Sequence, residues 1–283
     1  MHRLSVAATL WLAGCSFDVS YGDTRFQCQD DRGCPDGTSC SDQGFCEAAD
    51  GGELDAAPVG QPDGPPVDGP PALVAQATTT FTAAALGATK ETGELTVAAG
   101  DLLVAFAITE DDAVAIASIA GGEQDWSVPV VAVEEEHAWV GMWTAEADAD
   151  RSMTVSFTLN GDSMGAFGGG VMVFRGSSGV GAVVEELGTA GSGEADLVTT
   201  GQNSAIVVAV GDWNAMDGSA RVWLEEAGDL DEAVYFRDPG AYTAYAGVHR
   251  DAGAPRSFQV GLESPDDQVY SLVALEVLGS SGD

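Results

Sequence analysis

Residues Met153-Thr154-Val155-Ser156-Phe157-Thr158-Leu159 alternate large apolar side chains with hydroxyl residues over seven positions. In an extended chain successive side chains point to opposite faces, so Met153, Val155, Phe157 and Leu159 share one face. A helix would scatter them around its circumference. Phe258-Gln259-Val260-Gly261-Leu262 repeats the pattern further along. Around these stretches lie short runs that are almost wholly apolar: Leu102 to Ile108, Val171 to Phe174, Ile206 to Val210 and Tyr270 to Val277. Such runs suit central strands covered on both faces. Gly, Asn, Asp and Pro fill the gaps, as at Asn160-Gly161-Asp162 and Asp238-Pro239-Gly240. No twelve-residue stretch combines helical caps with a 3.6-residue period, and Val183 to Leu187 is too short. The expected fold from about Ala72 onward is all-β, an antiparallel β-sandwich of jelly-roll type.

The region is also internally duplicated. Gly100–Ile108 (GDLLVAFAI) aligns with Asn203–Gly211 (NSAIVVAVG), Ala149–Phe157 with Ala254–Leu262, and Val173–Gly176 with Glu276–Gly279, at offsets of 103, 105 and 103. Order and spacing both persist, which defines pseudo-repeats of about 72–176 and 177–279. Two arrangements satisfy this: a separate sandwich for each half, or halves interleaved into one domain over 72–279. No linker-like stretch separates them near Gly176–Ser178, which favours the single domain.

The opening of the chain is of another kind. Met1-His2-Arg3 is short and basic, and Leu4 to Ala13 is an apolar run too short to span a bilayer but suited to a signal-peptide core. It ends in Leu12-Ala13-Gly14-Cys15, which resembles the lipobox of bacterial lipoproteins. The resemblance implies that residues 1–14 are a signal peptide removed after Gly14, and that Cys15 is lipidated through its sulfur and acylated at its new amino group. Several acyl chains anchor stably where one is marginal. Ser16 in place of an aspartate implies the outer membrane rather than inner-membrane retention. Cell-surface and periplasmic exposure both remain open.

Residues 15–46 then carry Cys28, Cys34, Cys40 and Cys46, with five residues between each neighbouring pair. In an exported chain an even set of cysteines reads as two disulfides. Zinc is the competitor, but no CxxC pair is present. A bridge closing a loop of a dozen residues contributes about 3 kcal/mol in the chain-entropy account. Sequence alone allows three connectivities. The pattern C-x5-CPDGTSC-x5-C resembles the small, loosely Dickkopf-like cysteine-rich modules that follow the lipobox in myxobacterial-type envelope lipoproteins, which implies first-to-third and second-to-fourth pairing.

Residues 47–71 hold six acids and no basic group, and six of the chain's 11 prolines fall between Pro58 and Pro71. Asp63-Gly64-Pro65-Pro66-Val67 is followed at once by Asp68-Gly69-Pro70-Pro71-Ala72. Nothing there can be buried, so a disordered, semi-extended linker is expected, reaching about 75 Å at ~3 Å per residue.

Charge narrows the partners. The chain has 45 acidic and 10 basic side chains, a net of -35, and a single lysine, Lys90. Phosphate backbones and anionic headgroups are bound with Lys and Arg, so nucleic acid and electrostatic docking on lipid are excluded as modes of binding. Since 45% of residues are hydrophobic, most of the chain has the means to form a core.

The C-terminal region as a whole resembles an uncharacterised bacterial extracellular β-sandwich family, on its GDLLVAF strand and on Thr200-Gly201-Gln202-Asn203-Ser204-Ala205-Ile206-Val207-Val208 at its midpoint. Phage-tail and surface proteins carry similar domains. The resemblance implies a fold and an exterior location, and no activity.

Catalytic signals are sparse. Gly161-Asp162-Ser163-Met164-Gly165 fits GxSxG, but a nucleophile elbow needs a helix after the serine, and Ala166-Phe167-Gly168-Gly169-Gly170 leads instead toward another strand. After signal removal only His137 and His249 remain, without metal-ligand spacing. The acidic groups Glu110-Asp111-Asp112, Asp229 with Asp231 and Glu232, and Asp266-Asp267 have the chemistry to hold calcium, which the sequence leaves open, but they lack EF-hand spacing and suit a solvated surface. Neither cofactor nor metal is expected. Of the tryptophans beyond the leader, Trp139 and Trp143 share one strand face with Gly141, whereas Tyr242 and Tyr245 have opposite parity. Asp212-Trp213-Asn214, expected in a turn after a strand, is the candidate for an exposed aromatic with polar neighbours able to stack on a sugar. The leading expectation is a non-enzymatic, outer-membrane-anchored lipoprotein displaying a β-sandwich for interaction or coat structure. A carbohydrate-binding or adhesive module with a glycan or protein ligand is the alternative, and a hydrolase using Ser163 the third.

Overall fold

The structure, a computed structural model, describes residues 38–40, 46–48, 69–84, 87–110, 115–128, 130–133, 138–161, 163–213, 218–238 and 242–280. The chain divides into two compact units, Met1–Asp63 and Gly64–Asp283. In the first, β1 (Thr38–Cys40) and β2 (Cys46–Ala48) pair antiparallel with Cys40 opposite Cys46. The leader with Cys15, together with Cys28, Cys34 and most of the 47–71 segment, lies outside the described residues.

The second unit is all-β, and every strand pairing described in it is antiparallel. Its first half contributes β3 (Ala72–Thr78), β4 (Thr82–Ala84), β5 (Thr89–Glu91), β6 (Leu95–Val97), β7 (Leu102–Thr109), β8 (Ile116–Ala120), β9 (Val130–Val133), β10 (Trp139–Glu146), β11 (Arg151–Met153), β12 (Ser156–Leu159) and β13 (Ser163–Arg175). The second contributes β14 (Ser177–Gly188), β15 (Glu194–Val198), β16 (Ala205–Trp213), β17 (Val222–Trp223), β18 (Leu230–Arg237), β19 (Tyr242–His249), β20 (Ser257–Ser264) and β21 (Val269–Gly279). Between β16 and β17 the only described helical turn is a 3-10 turn, Gly218–Ala220.

The duplication seen in sequence is a duplication of topology. The first half builds a sheet in the order β3-β13-β7-β10-β9, with β4 also on β13, and a smaller layer of β5-β12-β8 and β11-β6. The second builds β14-β21-β16-β19-β18 and a smaller β15-β20-β17. Register follows the same rule: Leu102 pairs with Phe174 and Ala205 with Val277, so both partners move by 103 positions between halves. Among the described strands none enters a sheet of the other half, so each half forms a complete sandwich and the halves do not interleave.

They are nevertheless one compact unit, because the six-stranded sheet of the first half and the five-stranded sheet of the second pack face to face. Alternation along β7 sends Leu102, Val104, Phe106 and Ile108 into a core shared with Ala205, Val207 and Ala209 of β16. The other parity, Leu103, Ala105 and Ala107, enters the first sandwich's own core, and Ile206, Val208 and Val210 enter the second's. The result is four layers with three cores. Strand β7 is buried at every position and β16 at every position but Trp213, since both faces are covered, and this is why Leu102 to Ile108 and Ile206 to Val210 read as unbroken apolar runs.

Close approach depends on missing side chains. A Cβ at Gly211 would lie 2.9 Å from Ile108 of the facing sheet, and one at Gly169 would lie 2.5 Å from the Phe106 carbonyl oxygen. The Gly168-Gly169-Gly170 run thus lets β13 pass under the rings of Phe81, Phe157 and Phe106.

One expected strand is split. Met153, Val155, Phe157 and Leu159 do share a buried face, as their alternation requires. The ladder breaks at Thr154–Val155 between β11 and β12, because Thr92 occupies both polar groups of Val155. Its hydroxyl accepts from Val155 N (3.0 Å) and its amide donates to Val155 O (2.9 Å).

Candidate functional site

Asp212 and Trp213 close strand β16 and do not lie in the turn expected for them. The strand runs on because it is flanked on both sides: Asp212 is opposite Thr243 and Tyr270, and Trp213 is opposite Tyr242 and Val269. Alternation then separates the two side chains. Trp213 is half-buried against the shared core, whereas Asp212, 1% exposed, turns toward the second sandwich's interior. Asn214 lies outside the described residues. The structure therefore does not assemble an exposed aromatic between Asp212 and its neighbour.

Asp212 sits instead in a buried polar group. The Thr243 hydroxyl donates to its Oδ1, the Tyr245 hydroxyl is a second hydrogen-bonding neighbour of the carboxylate, and the Tyr242 hydroxyl is buried without a hydrogen-bond partner. Burial pushes the Asp212 carboxyl up to about 6, against the Thr243 hydrogen bond that favours its charge. Burial likewise pushes Tyr245 upward. Gly218 of the 3-10 turn covers this end, and a Cβ there would lie 2.2 Å from the Tyr245 hydroxyl.

Outside that lid the structure gathers residues that sequence reading did not connect. The Arg221 guanidinium lies 3.8 Å from the Tyr235 ring centroid and forms an ion pair with Glu232, which also accepts from Trp223 Nε1 at 3.1 Å. Tyr245 lies tilted against Tyr235 (5.7 Å between centroids) and meets Trp223 edge-on (6.3 Å). Trp223, Tyr235 and Arg221 are half-exposed. They come from β17, β18 and the preceding loop, so only the packing of the small sheet against the large one brings them together. Chemically the cluster offers aromatic faces beside a carboxylate and a guanidinium, the furniture of sugar recognition, although its groups also satisfy one another.

The other signals are dispersed. Ser163 opens the thirteen-residue strand β13, so a strand and not a helix follows it. His249 is buried, with Nδ1 2.8 Å from the Gly228 carbonyl and Nε2 unpartnered, and burial pushes its pKa down. His137, Asp111 and Asp112 lie outside the described residues. Asp231 pairs with Arg250, and among the described residues no group of three or more His, Cys, Asp or Glu is placed to hold a metal ion. Trp139 and Trp143 do share a face, 5.8 Å apart in the first sandwich's core, with the Trp139 ring lying over Gly141. No described helix is long and apolar enough to cross a membrane.

Compared with protein-family models, with curated proteins and with solved structures, the chain matches none.

Proposed function

We propose that this protein is a lipid-anchored envelope protein, tethered at Cys15 to the outer membrane, that displays a non-catalytic double β-sandwich for interaction with other molecules. The observation that carries the reading is the run Leu4–Ala13 ending in Leu12-Ala13-Gly14-Cys15 ahead of a cysteine-rich segment and an acidic, proline-rich stretch. That order places a lipid attachment point first, a bridged module of Cys28, Cys34, Cys40 and Cys46 next, and a spacer before the folded cargo. Burial of both faces of each large sheet supports it, because a four-layer stack is a rigid body to hold away from a membrane. Fractionation of cells expressing wild type and Cys15→Ala tests the reading. Wild type is expected with outer membranes and the variant in the soluble fraction, whereas a soluble wild type overturns it.

A second reading, a carbohydrate-binding module, is favoured by the half-exposed Trp223 and Tyr235 beside Glu232 and Arg221. The Asp212–Trp213 strand end supplies no exposed ring for it. Quenching of tryptophan fluorescence by a glycan, lost in Trp223→Ala, would support this use of the surface.

A further inference from the structure

The two halves meet along two opposite rims of the stack. At one, β3 lies against β18, and at the other β9 lies against β14. Since the halves share a topology, the rims are equivalent: each sets the opening edge strand of one half against the far edge strand of the other. They are not filled alike. At the first rim Phe81 stacks on Phe236 with centroids 5.3 Å apart, and Leu73 and Ala233 pack on the shared core. At the second there is a cleft of about 490 Å³, lined by Val131, Ala132 and Val133 of β9 and by Glu185, Glu186 and Leu187 of β14.

The cleft has three properties that bear on an occupant. Its walls are strand edges: β14 pairs with β21 and β9 with β10, and among the described strands neither has a partner on its other edge. Free edges present backbone groups to which an extended chain can add. It is partly apolar at the surface, with Val133 36% and Leu187 45% exposed. And it carries exposed carboxylates: Glu185 and Glu186 are successive residues of β14, so alternation turns one to each face of the strand. The chain's own 47–71 segment, with six acids and no basic residue, is repelled by them, and so is a second copy of a chain of net charge -35. What remains complementary is a foreign, cationic strand.

We propose that the β9–β14 cleft is a docking groove for an extended segment of a partner protein in which apolar residues alternate with lysine or arginine, the segment adding to the free edge of β14. Its apolar side chains lie on the face of Leu187 and fill the space that Phe81 and Phe236 fill at the opposite rim, and its cations lie on the other face, beside Glu186, with the Glu185 charge on the same edge. This rests on the display function proposed above, since it names the kind of partner displayed to.

The probe is a short synthetic peptide alternating valine and lysine, titrated by fluorescence anisotropy into the full chain. Binding is expected to weaken about tenfold or more in Glu185→Lys/Glu186→Lys, the scale of reversing charges along the docking edge. The variant Glu91→Lys/Glu94→Lys, with the same change in net charge on exposed positions of the other sandwich, is expected to bind as wild type does. A peptide with proline at alternate positions, unable to pair along an edge, is expected not to bind. Equal weakening in both double variants, equal binding of the proline peptide, or no binding of the lysine peptide overturns the groove. Membrane attachment through Cys15 is read separately, so an anchored protein that fails this titration loses the groove and keeps the anchor.

Discussion

Ser204 donates its hydroxyl to the buried carboxylate of Glu276 at 2.7 Å, and Ser204 stands at the position that Asp101 occupies in the first half. Both halves must hold the turn entering their central strand. In the first, Asp101 does this locally, accepting from Ala98 N at 2.8 Å and from Arg175 through two contacts of 2.9 and 2.8 Å. In the second, the equivalent amide of Gly201 is held by Glu276, reaching from the last strand, which also accepts from Ala182 N and Thr200 N. One structural need is met by a carboxylate from two different places, the turn itself in the first half and the last strand in the second.

Glu276→Gln is therefore expected to destabilise the protein by about 2–4 kcal/mol, since an amide cannot accept this set of donors. Burial alone would push this carboxyl up, but the amides of Ala182, Gly201 and Thr200 and the Ser204 hydroxyl together hold it below its ordinary 4.5. Its contribution is thus present above that value and is lost as pH falls through the lower native one. Urea unfolding from pH 7 down to pH 4 measures this. The gap between wild type and variant should narrow toward the acid end, and a constant gap would count against the account.

Asp212 has the opposite sign. Its carboxyl is raised from 3.8 to about 6 in the native state, so the unfolded chain ionises it first. Native stability from this group is full below about 4 and is lost as pH rises through about 6, by roughly 3 kcal/mol in all. Asp212→Asn keeps an acceptor for Thr243 and removes the charge. Above pH 7 it is expected to melt higher than wild type, with the difference vanishing near pH 4. Parallel melting curves across that range would show that Asp212 does not titrate as its burial requires.

Gly169→Ala is expected to cost about 2–3 kcal/mol, because the new methyl meets the Phe106 carbonyl, a backbone group that cannot turn aside. Gly93→Ala is the control: the nearest atom to its Cβ would be Ala77 Cβ at 3.8 Å. Denaturation midpoints that fall equally in both variants would contradict the close passage of β13 against β7.

Lys90 ties the first half together at one point. Its Nζ donates to the carbonyls of Thr80 (3.1 Å), Thr82 (2.7 Å) and Phe167 (2.5 Å) and to the Thr82 hydroxyl (2.9 Å), and it lies 4.1 Å from the Phe167 ring centroid. Burial pushes its pKa down to about 8. Lys90→Met is expected to cost about 2 kcal/mol through the lost charged hydrogen bonds. As Lys90 is the only lysine, reagents for amines, compared at a pH of about 10 where much of the amine is neutral in both states, should modify the native protein slowly and the unfolded protein fast. Equal rates in the two states would mean that the amine is free.

Much of the fold was legible because burial on one or two faces leaves a mark on neighbouring residues. Phe258, Val260 and Leu262 alternate since one face of β20 is covered, and Leu102 to Ile108 does not alternate since both faces of β7 are. The 103-residue offset survives as register because pairing depends on position. What local pattern cannot carry is contact across layers. Thr92 breaking the ladder at Val155, Glu276 reaching Gly201, and Trp223 meeting Tyr245 all join residues distant in sequence. The Asp212–Trp213 strand end was misplaced for the same reason, as polar residues at a strand terminus resemble a turn until their neighbours across the sheet are known.

The central claim is that this double sandwich hangs from a lipid on Cys15. The most direct measurement is the mass of the amino-terminal peptide from protein purified out of native membranes. The expected result is a chain beginning at Cys15, with a diacylglyceryl thioether on its sulfur and an acyl group on its nitrogen. An unmodified peptide that begins at Met1 would contradict it.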